Sequence, residues 1–404
     1  MNSYYKWIIV LVATLSQTAA TFVTYGMGPI ATFYQIEWNL SSFQTGFIVS
    51  AVNIGPIFSM MLFGYFMDKK GEKQIIGWGS ILLGFSALLL TLVNNYAMLI
   101  LLLLIVGVWY GSAQTGGSTA IVKWFPDKHR GLAIGIRQTG IPIGGALASA
   151  ILTYMYYNHS LTSVHLVQGF VAIGGGLLFL LIYQEPKNRV AVAAATSVTF
   201  KEKLEAIKNN KDLYPIYIVG IVMMTLQMIL VAHFMSYLHQ EGGYSLTEAG
   251  QYLSLLLIGG MIGRVAIAWI SDQFFAQKRE YLLMIVMVSA VILTVILPLM
   301  LQAQVLMLFC CFLLGFVALG WYSLFIACVT EHSHPHYVGL TVSAALTLNQ
   351  FFIVIAPSFY GYMVTLFSSY QVALDIVAIA VALGAMNLYR VTKNMKISKT
   401  ADQI

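Results

Sequence analysis

Charged residues are scarce in this sequence. Only 9% of its 404 residues are Asp, Glu, Lys or Arg, whereas 59% are hydrophobic. Soluble domains carry about 25% charged residues and about 45–50% apolar residues. No set of soluble cores could bury so much apolar surface, so a soluble protein and a disordered chain are both excluded. The composition predicts a polytopic membrane protein.

Cysteine is equally scarce, and its placement excludes a disulfide scaffold. The three cysteines, Cys310, Cys311 and Cys328, lie in one apolar stretch, which predicts buried, reduced thiols. The sequence also lacks a Walker loop, a dinucleotide fingerprint, a nucleophile elbow and a catalytic zinc spacing. We therefore expect neither an enzyme nor an ATP-driven pump, and we expect no cofactor and no bound metal.

Long apolar runs are what the sequence has instead. A membrane-spanning helix takes about 20 mainly apolar residues, and twelve runs meet this requirement. Backbone amides cannot remain unpaired in lipid, so the runs are predicted to be helices. The predicted spans are 7–33, 43–67, 75–94, 97–124, 131–157, 164–184, 214–238, 247–271, 281–301, 304–330, 338–364 and 371–391.

Lysine and arginine are unevenly distributed between the two sides of these spans. With the N-terminus inside, every Lys and Arg except Arg137 and Arg264 falls in an inner loop or tail. The positive-inside rule therefore places both termini in the cytoplasm. The net charge of +6 is then explained by the inner membrane face and its lipids, and it implies no nucleic-acid partner.

The chain is predicted to form two halves of six helices each. We place the halves at 1–184 and 214–391, with a cytoplasmic central loop at 185–213 and a cytoplasmic tail at 392–404. A loop pattern supports this division, because it occurs once in each half. It reads Gly64-Tyr-Phe-Met-Asp-Lys-Lys-Gly-Glu-Lys73 after helix two and Arg264-Val-Ala-Ile-Ala-Trp-Ile-Ser-Asp272 in helix eight.

The twelve helices and the repeated loop resemble the major facilitator superfamily over nearly the whole chain. The Gly64-x3-Asp68-Lys69-x-Gly71-x-Lys73 segment is similar to the loop motif of that family. Arg264-x3-Ala268-x3-Asp272 and Gly320-Trp-Tyr-Ser resemble the monocarboxylate porter and oxalate/formate antiporter branch. The sequence departs from that branch in helix eleven, where oxalate-type transporters are expected to have a lysine. The resemblance implies an all-α membrane protein with two pseudo-symmetric six-helix bundles.

The repeated loop is interpreted as an inner gate. Opposite charges at helix ends can form and break contacts while two halves rock against each other. The alternative is that the loop only sets topology and a tight turn. The predicted gating residues are Gly64, Asp68, Lys69, Gly71, Lys73 and Asp272.

Two arginines are predicted to lie within the membrane. A buried arginine costs about 2.5–3.5 kcal/mol on insertion scales, so Arg137 and Arg264 are each expected to have a compensating partner or a functional role. We place them about 9 Å and about 11 Å from the inner ends of helices five and eight, at 1.5 Å per residue. No acidic residue is predicted at that depth, so an anionic substrate would balance them, and guanidinium binds carboxylate bidentately. Alternatively, each arginine bonds helix-end carbonyls or inner-edge acids.

By analogy with the family fold, helices one, four, seven, ten and eleven line a central cavity. His233, interpreted as the only histidine inside a helix, is the candidate for carrying a coupled proton, because histidine titrates near neutral pH. The alternative is a neutral, hydrogen-bonded histidine. The further polar and aromatic candidates for substrate contact are Gln17, Thr21, Tyr25, Tyr110, Gln114, Ser118, Gln227, Trp321, Tyr322, Asn349 and Gln350.

The sequence thus predicts a secondary active transporter for a small organic anion, a mono- or dicarboxylate. It would work by alternating access, either by proton symport or by exchange with a counter-anion. The alternative is an exporter of amphipathic drugs or metabolites, since 19 Met, 23 Phe and 23 Tyr permit an adaptable cavity. We expect a monomer in the bacterial cytoplasmic (inner) membrane, with lipid and the anion as its partners.

Overall fold

The computed structural model describes residues 4–125, 130–185, 205, 208, 210–275, 278–333 and 338–401. These residues are helical apart from short connections, and no strand occurs among them. The first half contains α1 (Tyr5–Tyr25), α2 (Met27–Trp38), α3 (Ser42–Lys70), α4 (Glu72–Leu89), α5 (Tyr96–Trp124), α6 (Arg130–Asn158) and α7 (Leu161–Ile182). The second half contains α8 (Leu213–Gln240), α9 (Leu246–Phe274), α10 (Arg279–Met300), α11 (Gln304–Ala318), α12 (Tyr322–Glu331), α13 (Val338–Phe367) and α14 (Tyr370–Ala401).

Each predicted span corresponds to a helix or to a broken pair of helices. Eleven segments in the described part of the chain are long and apolar enough to cross a membrane. The twelfth crossing is α6, whose 29 residues extend about 43 Å at 1.5 Å per residue. This helix is less apolar because it buries Arg137, Ser149 and Thr153 against other helices instead of exposing that face to lipid. The prediction of an all-α, twelve-helix membrane fold is confirmed.

Two spans that the sequence predicts as continuous are interrupted. Predicted helix one is divided at Gly26 into α1 and α2, and predicted helix ten is divided at residues 319–321 into α11 and α12. Gly320 lies directly against Gly263 of α9, where a Cβ on either residue would overlap backbone atoms. Such interruptions free backbone carbonyls inside a membrane bundle, where polar ligands and side chains can use them.

The same capping device opens corresponding helices in the two halves. At the start of α3, Ser41 accepts a hydrogen bond from the Gln44 amide while the Gln44 side chain accepts one from the Ser41 amide. Ser245 and Glu248 form the equivalent pair at the start of α9. These reciprocal bonds satisfy amides that a helix start would otherwise leave unpaired. They fix the short turns at one end of the bundle, which we call the distal end.

The two halves meet through backbone contacts toward the distal end, along a surface that we call the distal seam. A Cβ on Gly28 would overlap the carbonyl oxygen of Val231, and one on Gly46 would overlap that of Pro357. Side chains add hydrogen bonds between the halves near these contacts. They are Thr32 Oγ1 to Ser236 Oγ at 2.9 Å, Gln35 Nε2 to Tyr370 Oη at 3.1 Å and Ser50 Oγ to Ser358 Oγ at 2.7 Å.

At the opposite, proximal end, ion pairs join helices of the second half. Arg279 Nη2 lies 2.9 Å from Asp272 Oδ1, and Arg279 Nε lies 2.6 Å from Glu331 Oε1. His332 Nε2 lies 3.2 Å from Glu280 Oε1. These pairs connect α9, α10 and the end of α12 within one half, whereas the distal seam connects the two halves.

The close backbone contacts of the distal seam predict that adding one methyl group there lowers the stability of the protein. Gly46→Ala places a Cβ against the Pro357 carbonyl, and overpacking of this kind costs about 1–3 kcal/mol. We expect a lower melting temperature for the purified variant, measured by thermal unfolding in detergent. Gly174→Ala is the matched control, because no atom lies within 4 Å of its added Cβ. Equal melting temperatures for the two variants would contradict the backbone contact.

Candidate functional site

Arg264 lies where both halves and the interruption of helix ten converge. Its side chain is buried, with 6% of the residue exposed. Its Nε donates to the Leu319 carbonyl at 3.3 Å, and its Nη1 donates to the Gln138 carbonyl of α6 at 3.3 Å. Both hydrogen bonds are longer than the usual 2.7–3.2 Å range. No carboxylate in the described part of the chain forms an ion pair with Arg264, so this guanidinium is only weakly compensated.

Aromatic side chains surround this guanidinium. The Tyr322 ring lies beneath it, with 5.4 Å between the guanidinium carbon and the ring centroid, a cation–π geometry. Trp321 is fully buried, packs edge-on against Tyr322 and donates from Nε1 to Gln227 Oε1 at 3.1 Å. Tyr25, at the end of α1, interacts with both Arg264 and Gln227. The two interruptions thus place Tyr25 and Tyr322 beside one cation, with Trp321 packed against Tyr322.

Arg137 has a different environment. Its Nη2 donates to Gln17 Oε1, to the Ala113 carbonyl at 2.8 Å and to the Gln114 carbonyl at 3.1 Å. Its side chain lies flat on α5, since a Cβ on Gly117 would overlap Arg137 Nε. The contacts of Arg137 therefore connect α1, α5 and α6, and its carbonyl partners lie inside α5 rather than at a helix end.

Tyr110 connects the surroundings of the two arginines. It is buried on α5 and interacts electrostatically with Tyr25 and Arg137, and Arg264 also lies within its electrostatic reach. Gln114 follows one helical turn later and therefore shares a helix face with Tyr110. The structure thus brings most of the predicted site residues into one polar and aromatic core, namely Gln17, Tyr25, Tyr110, Gln114, Arg137, Gln227, Arg264, Trp321 and Tyr322.

Three further predicted residues have contacts of another kind. Thr21 Oγ1 donates to the Gly140 carbonyl at 3.2 Å and so joins α1 to α6. Gln350 Nε2 donates to the Asn53 carbonyl at 3.2 Å, which joins the two halves through α13 and α3. Asn349 is buried against Gly220 of α8. The side chain of Ser118 lies outside the described residues.

His233 lies at the distal seam, away from this core. Its Nε2 donates to the Pro357 carbonyl at 2.9 Å, and its ring centroid is 5.0 Å from that of Tyr360. The same imidazole would contact a Cβ added to Gly46 of the other half, at 2.8 Å. His233 also lines a small apolar cavity with Tyr237 and Leu374. Its contacts are those of an interface residue, and a coupling role remains a prediction.

The prediction that His233 is the only histidine inside a helix is wrong. His165 lies in α7 and is buried. Its Nε2 shares a hydrogen bond with the Tyr34 hydroxyl at 3.0 Å, and its Nδ1 lies 3.2 Å from Gln168 Oε1. The predicted span 164–184 already contained His165, so counting histidines within each span would have found it.

The described residues of the loop Gly64–Lys73 form a tight turn. Gly71 joins α3 to α4 with a φ of 86°, a backbone conformation that residues with a side chain rarely adopt. A Cβ at this position would also lie 2.6 Å from Glu185 Oε1. The Lys73 amide donates to the same carboxylate oxygen at 3.0 Å. A Cβ added to Gly64 would have no atom within 4 Å, and the side chains of Asp68 and Lys69 lie outside the described residues.

Asp272 is the motif residue of the second half. Its side chain is 62% exposed and pairs with Arg279, so this single ion pair contributes at most about 1 kcal/mol. The turn and the ion pair are features of the structure, while gating by either motif copy stays a prediction.

The amino-acid sequence is similar to those of known membrane transporters. The sequence pattern that describes the Major Facilitator Superfamily matches residues 13–357. The chain is 25% identical to the gallate transporter of Pseudomonas putida over 304 residues, covering 67% of this chain and 66% of that protein. It is 23% identical to the probable galactarate/D-glucarate transporter of Bacillus subtilis (strain 168) over 403 residues, covering 90% of this chain and 88% of that protein.

A solved structure has a similar fold. It is a bacterial homolog of the human lysosomal transporter Spinster in an inward-facing and unoccupied conformation. The TM-score is 0.81 at 14% identity, and the match covers 97% of this chain and 98% of that chain. This likeness shows the fold. The family match and the eleven apolar helices of the described residues identify an integral, multi-pass membrane protein.

The packing of Arg137 predicts that a side chain at position 117 displaces the guanidinium. Gly117→Ala would push the guanidinium away from α5 and break its hydrogen bonds to α1 and α5. We expect a loss of about 1–3 kcal/mol of stability, measured as a lower melting temperature in detergent. Gly135→Ala is the matched control, since no atom lies within 4 Å of its added Cβ. A Gly117→Ala protein as stable as this control would contradict the contact.

Proposed function

Because this chain belongs to the major facilitator superfamily, we propose that it is a secondary active transporter that moves a small organic anion by alternating access. The anion is a carboxylate in this proposal. Support comes from two relatives whose names specify carboxylate cargoes, gallate in one and galactarate or D-glucarate in the other. The site observation that carries the proposal is the buried, weakly compensated guanidinium of Arg264.

Arg264 is the proposed anchor for the carboxylate. A buried guanidinium retains its charge, and it binds a carboxylate through two parallel hydrogen bonds. Its present acceptors are two carbonyls at 3.3 Å, which an anion can replace with shorter, charge-assisted bonds. Arg137 serves a different purpose, because its hydrogen bonds hold α1, α5 and α6 in place around the site.

The position of Arg264 also couples binding to movement of the halves. Its bond to the Gln138 carbonyl crosses from the second half to the first. When an anion accepts the hydrogen bond from Arg264 Nη1, the direct bond between the two halves is lost. The substrate then connects the halves instead. A ligand shifts a conformational equilibrium only through such differences in contacts between states. The backbone contacts of Gly28 and Gly46 then act as the distal closure that must separate in the opposite state.

Energy coupling has two forms in this proposal. In proton symport, a titratable residue such as His233 takes up a proton together with the anion. In anion exchange, a counter-anion occupies Arg264 on the return step, and no titratable residue is needed.

Substitution of Arg264 provides the test. Benzoate, 4-hydroxybenzoate, formate, oxalate and D-glucarate are screened for thermal stabilisation of the purified protein. A ligand at 100 times its dissociation constant stabilises the folded state by about 2.7 kcal/mol. We expect a carboxylate to stabilise the native protein and Arg279→Gln, which removes an arginine outside the site, but not Arg264→Gln.

Two results would contradict the proposal. An undiminished carboxylate effect in Arg264→Gln would remove this residue from the site. Stabilisation by ethidium or other amphipathic cations, with no response to any carboxylate, would favour the exporter alternative.

A further inference from the structure

The charges available in the central core limit the charge of its ligand. Arg264 has no acidic partner in the described part of the chain, whereas Arg137 Nη2 already donates to Gln17 and to two backbone carbonyls. A carboxylate can therefore bind Arg264 without displacing the contacts by which Arg137 joins α1, α5 and α6. A second carboxylate on the same ligand would have to break those contacts or remain buried without a cation, which is costly in an apolar bundle. This arrangement favours a ligand with one carboxylate over a dicarboxylate.

The walls of the core favour a flat, unsaturated ligand. Tyr25, Tyr110 and Tyr322 interact with Arg264, and Trp321 packs against Tyr322. Aromatic contacts add about 0.5–1.5 kcal/mol per pair beyond burial. An aliphatic acid with many hydroxyl groups would need a polar partner for each of them. Gln227 Oε1 is already used by the Trp321 indole. The walls thus match an aromatic ring better than a sugar acid.

The end of the core that lies beside Arg137 carries a buried acceptor. Gln114 Oε1 has no hydrogen-bond partner among the described residues. On the same helix face, the Tyr110 hydroxyl is close to Thr24 and Gln17. A buried polar atom without a partner costs about 1–3 kcal/mol. A hydroxyl group on the ligand supplies the donor that Gln114 lacks, and it can accept from the neighbouring polar groups in return.

From this arrangement we infer that the transported anion is a hydroxylated aromatic monocarboxylate. Its carboxylate binds Arg264, its ring lies among the tyrosines and Trp321, and its hydroxyl donates to Gln114 Oε1. Tyr110 interacts electrostatically with both arginines and so links the two ends of the core. The inference rests on the proposed function and specifies the class of anion.

A matched ligand series tests the inference. Dissociation constants are measured by thermal shift and calorimetry for 3- and 4-hydroxybenzoate, benzoate, cyclohexanecarboxylate and D-glucarate. We expect a hydroxybenzoate to bind most tightly and benzoate about tenfold more weakly, because one net hydrogen bond is lost. Cyclohexanecarboxylate, which lacks the aromatic faces, binds more weakly than benzoate, and D-glucarate gives no response.

Gln114→Leu identifies the hydroxyl end. This variant keeps the backbone carbonyl that Arg137 uses and removes only the side-chain acceptor. We expect it to weaken hydroxybenzoate binding about tenfold and to leave benzoate binding unchanged. Gln251→Leu, at an exposed position of α9, is the matched control and should alter neither constant.

The outcomes separate this inference from the proposed function. Binding of D-glucarate or cyclohexanecarboxylate as tight as that of the hydroxybenzoates, abolished in Arg264→Gln, would overturn the inference and retain the carboxylate transporter. An equal effect of Gln114→Leu on benzoate and hydroxybenzoate would likewise overturn it. If no carboxylate binds at all, the proposed function itself fails.

Discussion

Desolvation of two guanidinium groups is the constraint on which the centre of this protein depends. Neither group can lose its charge, and the helices around them are apolar. Arg137 resolves this by donating to Gln17 and to carbonyls of α5, and its guanidinium packs directly against Gly117. Arg264 donates only two long hydrogen bonds and lies over one aromatic ring. The first arginine is held by several close contacts, and the second is the proposed anchor for the substrate.

Arg264 also connects the interruption of helix ten to the packing between the halves. The break at residues 319–321 supplies the Leu319 carbonyl and places Trp321 and Tyr322 beside the cation. The break itself is possible because Gly263 and Gly320 bring α9 and the chain between α11 and α12 into backbone contact. A bond from Arg264 to Gln138 then extends this arrangement into the other half. The site is therefore continuous with the interface along which the halves would move.

Much of this organisation was predictable from the sequence, and the remainder depended on three-dimensional contacts. Apolar run length identified the twelve crossings, and the absence of acids at mid-depth identified Arg137 and Arg264 as unusual. The breaks at Gly26 and at residues 319–321 were not predictable, because hydropathy is insensitive to a single turn of irregular backbone. The different environments of the two arginines depend on Gln17 and on free carbonyls, which sequence spacing does not reveal. His165 was missed although its predicted span included it.

The weak compensation of Arg264 has an electrical consequence. Binding of a monoanion alone lowers the net charge of the site by one unit, whereas binding of the anion together with a proton leaves that charge unchanged. A full elementary charge moved through the membrane field corresponds to about 2.3 kcal/mol per 100 mV. One-for-one proton symport and exchange of two monoanions would therefore be insensitive to the membrane voltage, whereas exchange for an anion of different charge would be driven by it. The charge that accompanies the substrate at this guanidinium would thus decide whether voltage drives net transport.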